Sequence, residues 1–119
     1  MSGTYEDLKV WQRAMELVYS VYELTQRFPK NEQYGLTSQI RRAAVSVPSN
    51  IAEGKGRLTN KDTVVFLCHA RGSLFEVNTQ LLIAKHLGYI AAGEAESTQS
   101  LSAEVGRLLN GLISFAATA

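Results

Sequence analysis

Apolar residues along this chain recur at spacings of three and four. Val10, Ala14, Leu17, Val21, Leu24 and Phe28 form one such stripe, and Leu8, Trp11, Met15, Val18 and Tyr22 form a second beside it. Charges collect on the opposite side, at Lys9, Arg13, Glu16, Glu23 and Arg27. This period predicts a helix from about Tyr5 to Phe28. Thr4 with Asp7 resembles a capping box at its start, and Pro29 disfavours helical geometry at Phe28. Two adjacent stripes make an apolar arc wider than the ~100° that one buried face needs. One stripe is expected in the core and the other against a neighbouring subunit.

Three more helices follow. The second is predicted to begin near Thr37, after the Tyr34–Gly35 turn, and to run to about Gly54. Ile40, Ala43 or Ala44, Val47 and Ile51 keep helical spacing across Pro48. A break there would leave two short pieces, whereas one helix spans about 27 Å at ~1.5 Å per residue. A continuous helix kinked at Pro48 is therefore expected, because proline removes the bond to the Ala44 carbonyl. The third helix should start near Asn60, with Thr59 and Asp62 as its capping pair. Leu67, Ala70, Leu74, Val77, Leu81 and Ala84 carry its core stripe, and Gly88 is its left-handed stop. The fourth should run from about Glu94 to Phe115, with Leu101, Val105, Leu108, Leu112 and Phe115 inward. Short connections make sequential helices antiparallel neighbours. The expectation is one all-α domain over residues 1–119, an antiparallel up-and-down four-helix bundle.

The second and third helices also carry polar faces. Arg42, Ser46, Asn50 (or Ser49) and Glu53 lie on one, and Arg71, Ser73, Glu76 and Gln80 on the other. If these faces meet, Arg42, Ser46, Asn50, Glu53, Arg71 and Glu76 form a partly buried network that fixes register. That structural account is preferred for Glu53 and Glu76 over a catalytic carboxylate pair.

Composition sets the class. The chain has 119 residues, 45% of them hydrophobic and 19% charged, as a globular domain requires. Net charge is only +1, so no global field steers it to nucleic acid or membrane. The charge is uneven, however. Residues 30–61 hold six basic residues against Glu32 and Glu53, a net of +4; the remainder holds six basic and nine acidic residues, a net of −3. Cys68 is the sole cysteine, which excludes an intrachain disulfide and suits a reducing compartment. No signal-like start and no apolar run of membrane length are present, so a cytoplasmic protein is expected.

From Tyr5 to Ile90 the segments YEDLKVWQRAMELV, FP, YGLTSQIRRAAVSVPSNIAEGKGR, ARGSLFEVNTQLLIA and LGYI appear in that order. Together they closely resemble the bacterial four-helix-bundle proteins encoded in intervening sequences of large-subunit ribosomal RNA genes. Relatives of that family include the accessory variability proteins of diversity-generating retroelements, which are strongly basic. The resemblance implies a barrel-shaped homopentamer and, through those relatives, binding to nucleic acid and to a protein partner. The present chain departs from them in its modest charge.

Candidate chemistry is sparse. His69 and His86 lack the Glu-x-x-His pattern of di-iron bundles, and one cysteine makes no cysteine-rich zinc site. Cys68 is expected among apolar neighbours and His69 near the surface. No cofactor, metal or catalytic residue is assigned, and a non-enzymatic role is expected. Lys55, Arg57 and Lys61 surround a Gly-rich turn leading into the third helix. Backbone N–H groups there, with the positive helix end, can hold a phosphate of RNA or DNA. The same residues also describe an ordinary solvated turn. Arg41 is a further nucleic-acid candidate, although at least one of Arg41 and Arg42 should enter the internal network. The competing function is a scaffold that acts through a protein partner.

Overall fold

The structure, a computed structural model, describes residues 4–119. Four helices make up most of it: α1 (Lys9–Thr25), α2 (Leu36–Lys55), α3 (Asn60–His86) and α4 (Ala92–Thr118). No strand occurs among the described residues. The helices form a bundle in which α1 packs on α2 and α4, and α3 packs on α2 and α4. One continuous apolar core runs along its length.

The α1 core stripe lies as the spacing predicts, with Val10, Ala14, Leu17, Val21, Leu24 and Phe28 all buried. The ends of α1 differ. Tyr5–Asp7 is a separate 3-10 turn, and Leu8 is the extended residue before α1. Thr4 makes no cap bond; its hydroxyl reaches the Asp7 carboxylate instead of a backbone N–H. The break lets the Tyr5 ring meet Trp11 edge-on at 5.3 Å. At the other end, Gln26, Arg27 and Phe28 donate to carbonyls three residues back, which tightens the chain before Pro29.

α2 runs unbroken through Pro48, which is itself buried. Ile40, Ala44, Val47 and Ile51 are fully enclosed. Ser49 donates to the Val45 carbonyl at 2.8 Å. α3 opens as predicted, with the Thr59 hydroxyl accepting from the Asp62 N–H at 3.1 Å. It closes at Gly88, whose φ is +76°. Tyr89 N–H donates to the Ala84 carbonyl and Gly88 N–H to that of Lys85, the paired bonds of a Schellman turn.

The fourth helix corrects the sequence reading. Its buried line is Ala95, Thr98, Ser102, Val105, Leu109 and Ala116. Leu101, Leu108 and Leu112 flank the core half-buried, and Phe115 is 71% exposed. Polar partners explain the phase. Thr98 bonds Ser20 of α1 at 2.6 Å, and Ser102 bonds Asn78 of α3. Small polar residues thus sit in the seams with Leu109, and Leu101, Leu108 and Leu112 are turned to either side.

A staple holds the α1–α2 connection. The Glu32 carboxylate accepts from Leu36 N–H at 3.0 Å and from the Tyr89 hydroxyl at 2.7 Å. The Leu36 bond, helped by Tyr89, pulls the Glu32 carboxyl below its ordinary range. Its own bond to Glu32 raises the Tyr89 phenol above the ordinary range.

Two outcomes follow from these ends. Gly88→Ala should lower stability by about 1–2 kcal/mol in urea unfolding, through φ alone, because nothing lies within 4 Å of an added Cβ. A depressed folded-state pKa contributes stability above the ordinary carboxylate range and loses it as pH falls through the lowered value. Melting curves of the wild type and Glu32→Gln should therefore differ most near neutral pH and converge in acid. A pH-independent gap would show that the staple does not depend on the ionised form.

Candidate nucleic-acid interface

The α2–α3 turn is built by close packing. Gly54 is buried, and a Cβ there would meet Phe66 Cβ and the Thr63 carbonyl at 3.3 Å. The Thr63 hydroxyl donates back to the Gly54 carbonyl at 2.9 Å. Gly56 N–H closes on the Ala52 and Glu53 carbonyls, and Arg57 N–H on that of Gly54. This geometry brings Lys55, Arg57 and Lys61 to one end of the bundle, all exposed. Among the described residues Lys55 and Lys61 have no acidic partner within ion-pair distance. Arg57 pairs with Glu53 at 3.0 Å and lies 4.2 Å over the Phe66 ring. That cation–π contact fixes its side chain, and Glu53 offsets part of its charge. Asp62 in the first turn of α3 offsets more.

Arg41 does not join this patch. It lies about 21 Å away along α2 at ~1.5 Å per residue. Its Nε donates to Thr25 Oγ1 at 2.8 Å and its Nη2 to the Tyr22 carbonyl at 3.3 Å, with the guanidinium 4.6 Å over the Tyr22 ring. A cation at the C-terminal end of α1 meets the negative end of that helix. Its role is to lock α1 on α2.

The polar network between α2 and α3 is smaller than the sequence suggests. Ser73 donates to Ser46 Oγ at 2.8 Å, and Asn50 donates to the Ser46 carbonyl and hydroxyl at 2.9 Å. Gln80 reaches Gln39 at 3.4 Å. The long charged side chains stay outside. Arg71 turns to Asn110 of α4 at 3.2 Å, and Glu53 turns to Arg57. Arg42 and Glu76 stand on the walls of an open cleft of about 560 Å³. A seam packed with serine, alanine and glycine leaves no room for a guanidinium, so these chains extend to water.

Two apolar surfaces face outward. Trp11 and Met15 of α1, with Val45 of α2, line a groove of about 360 Å³ together with the buried Val18 and Pro48, so Val18 of the second stripe belongs to the core. Tyr22, from the same predicted stripe, is 41% exposed beyond it. On α3, Val65, Phe75, Leu82 and Ile83 are also exposed. The sequence reading missed this second face of α3, although Val65, Cys68, Gly72, Phe75, Thr79 and Leu82 repeat at alternating threes and fours. The stronger buried stripe on the same helix hid it. The reading likewise missed Tyr34, Ser38 and Gln39, which join Arg42 at helical spacing.

His69 is exposed and packs edge-on to Phe66 at 5.7 Å; Cys68 is half-buried. Among the described residues no three His, Cys, Asp or Glu side chains gather as a metal site. Among the described residues no helix is long and apolar enough to cross a membrane.

Comparisons give the family. A model of the 23S rRNA-intervening sequence protein family matches residues 6–111. The chain is also similar to the crystal structure of a protein of unknown function from the S23 ribosomal protein family of Bacteroides thetaiotaomicron VPI-5482. The two share 25% sequence identity with a TM-score of 0.77, over 87% of this chain and 97% of that one. No curated protein matches. The family match reaches from the first 3-10 turn well into α4, so the chain belongs to the 23S rRNA-intervening sequence protein family.

Proposed function

We propose that this chain is a non-enzymatic cytoplasmic protein that forms a homopentameric ring and binds nucleic acid through its α2–α3 turns. Each subunit is a single antiparallel up-and-down bundle; the facing pairs Ser46–Ser73 and Gln39–Gln80 support that direction for α2 and α3. The observation that carries the binding reading is the exposed cluster of Lys55, Arg57 and Lys61 at the N-terminal end of α3. One copy is a weak site, because Glu53 and Asp62 stand beside it. A ring repeats it around one rim, and several weak contacts on one strand act together. The groove on α1 and α2 supplies an apolar surface for the ring contact, and a contact that closes by rotation needs two different faces. The exposed side of α3 is the second. Pro48, under that groove, is proposed to kink α2 there.

A second reading is a ring that acts as a scaffold for a protein partner. The modest net charge of +1 favours it. It leads if nucleic-acid binding fails.

Purified protein freed of nucleic acid should bind a fluorescent structured RNA, followed by anisotropy, with affinity that falls steeply between about 50 and about 200 mM salt. Changing Lys55, Arg57 and Lys61 together to Ala should weaken binding at least tenfold and flatten the salt slope, with assembly unchanged. Unchanged affinity in that variant removes the turn from the reading. Met15→Glu with Val45→Glu should convert the ring to monomers by light scattering while circular dichroism stays helical. An unchanged mass would exclude the α1–α2 groove as the ring contact.

A further inference from the structure

An apolar hollow opens at the end of the bundle that carries the α2–α3 turn. Leu8 just before α1, Ile51 of α2, Leu67 of α3 and Ala116 of α4 line it, so every helix region contributes to its wall. Ile51 and Leu67 are enclosed in the core and form its floor, and Phe115, 71% exposed, stands at its rim. The line of buried residues on α4 ends at Ala116, whose methyl group leaves the space between the other helices unfilled. The hollow measures about 240 Å³. That is below the ~300 Å³ at which drug-sized sites begin, so its guest is small. Thr63 also lines it, but its hydroxyl already donates to the Gly54 carbonyl at 2.9 Å. A floor of aliphatic side chains offers water few partners and favours an apolar body.

The mouth is of another kind. Among the described residues that line the hollow, only Lys55 and Arg57 are charged, and both are exposed. Lys55 has no acidic partner among the described residues, and Arg57 meets Glu53 through Nη2 at 3.0 Å. Two positive charges against one negative leave a net of +1 at the mouth. The whole turn gives the same figure, because Lys55, Arg57 and Lys61 stand against Glu53 and Asp62. A monoanion balances that charge. Arg57 keeps the rest of its planar fork of donors, which suits a carboxylate.

We propose that this hollow binds a small aliphatic monocarboxylate, its tail against Ile51, Leu67 and Ala116 and its head between Lys55 and Arg57. The inference goes beyond the nucleic-acid reading and does not depend on it. Lys55 and Arg57 serve either anion, so the carboxylate competes with RNA where RNA binds the turn.

The test titrates octanoate, below its micelle concentration, into the full chain and follows the Ile51 methyl and Phe115 ring resonances. Both should shift and saturate. Each methylene moved from water onto such a wall raises affinity about fourfold, so octanoate should bind at least about tenfold tighter than butanoate. Octylamine, with the same tail and a positive head, should bind more weakly than octanoate. Lys55→Met with Arg57→Met should erase that preference and keep the dependence on tail length. Ala116→Leu, which fills the hollow, should abolish the shifts while circular dichroism stays helical. An unmoved Ile51 methyl, or equal binding of octanoate and octylamine by the unaltered chain, overturns the proposal. So does octanoate binding that persists at full strength in a folded Ala116→Leu, because the tail then lies elsewhere. A change of subunit number on adding octanoate also overturns it, because the hollow is then an assembly contact. Failure of RNA to bind leaves all these outcomes as they are, and failure of octanoate leaves the reading of the turn in place.

Discussion

The structure depends on how closely α2 and α3 approach. Ala43, Ala44, Ser46 and Gly54 on one helix face Ala70 and Ser73 on the other, and all but Ser46 are buried. At Gly54 even one methyl group would press on the α3 backbone. Together with the Ser46–Ser73 contact, this small-residue packing keeps the seam compact and partly polar. Ser46, Asn50 and Ser73 satisfy one another there. Unpaired hydroxyls in this place would each cost a lost hydrogen bond, so the serines fix register as well as spacing.

The other seams repeat the principle with different chemistry. Between α1 and α4, Arg13 reaches Glu104 with two nitrogens, at 2.7 and 3.0 Å, and Arg27 pairs with Glu94. The Arg13 bond holds the Glu104 carboxyl below its ordinary range, and Glu104 in turn raises the Arg13 guanidinium. These groups remain solvated, so they orient the helices more than they stabilise them. Between α1 and α2, Arg41 does the same work at the end of α1. An apolar stripe tolerates sliding by a turn; a bonded polar pair in each seam does not.

This arrangement also sorts the arginines. Arg13 and Arg41 are held by neighbouring helices, and Arg57 is held by Glu53 and Phe66. Arg42, Lys55 and Lys61 keep their charges toward solvent without an acidic partner among the described residues. The excess basic charge of residues 30–61 therefore divides between two places, the turn and the α2–α3 cleft. Neither has a strong field alone, in keeping with a net charge of +1. In the proposed ring, affinity for a polyanion comes from repetition of the subunit.

The four helices, the core of the first three and the caps at Thr59 and Gly88 were legible in the residues, because periodicity, capping and left-handed geometry are local properties. The family was legible too, from the long ordered match. The phase of α4 was not, since Thr98 and Ser102 are buried by partners on other helices. Nor was the fate of the arginines. Spacing along α2 put Arg41 and Arg42 beside each other, but the packing of α1 captured one and the narrow seam expelled the other. The Arg42–Glu76 cleft joins residues on either side of that seam, so it exists only once α2 and α3 are placed. Local sequence decides which helices form and which faces are apolar; the distance between two helix axes decides which polar side chains meet.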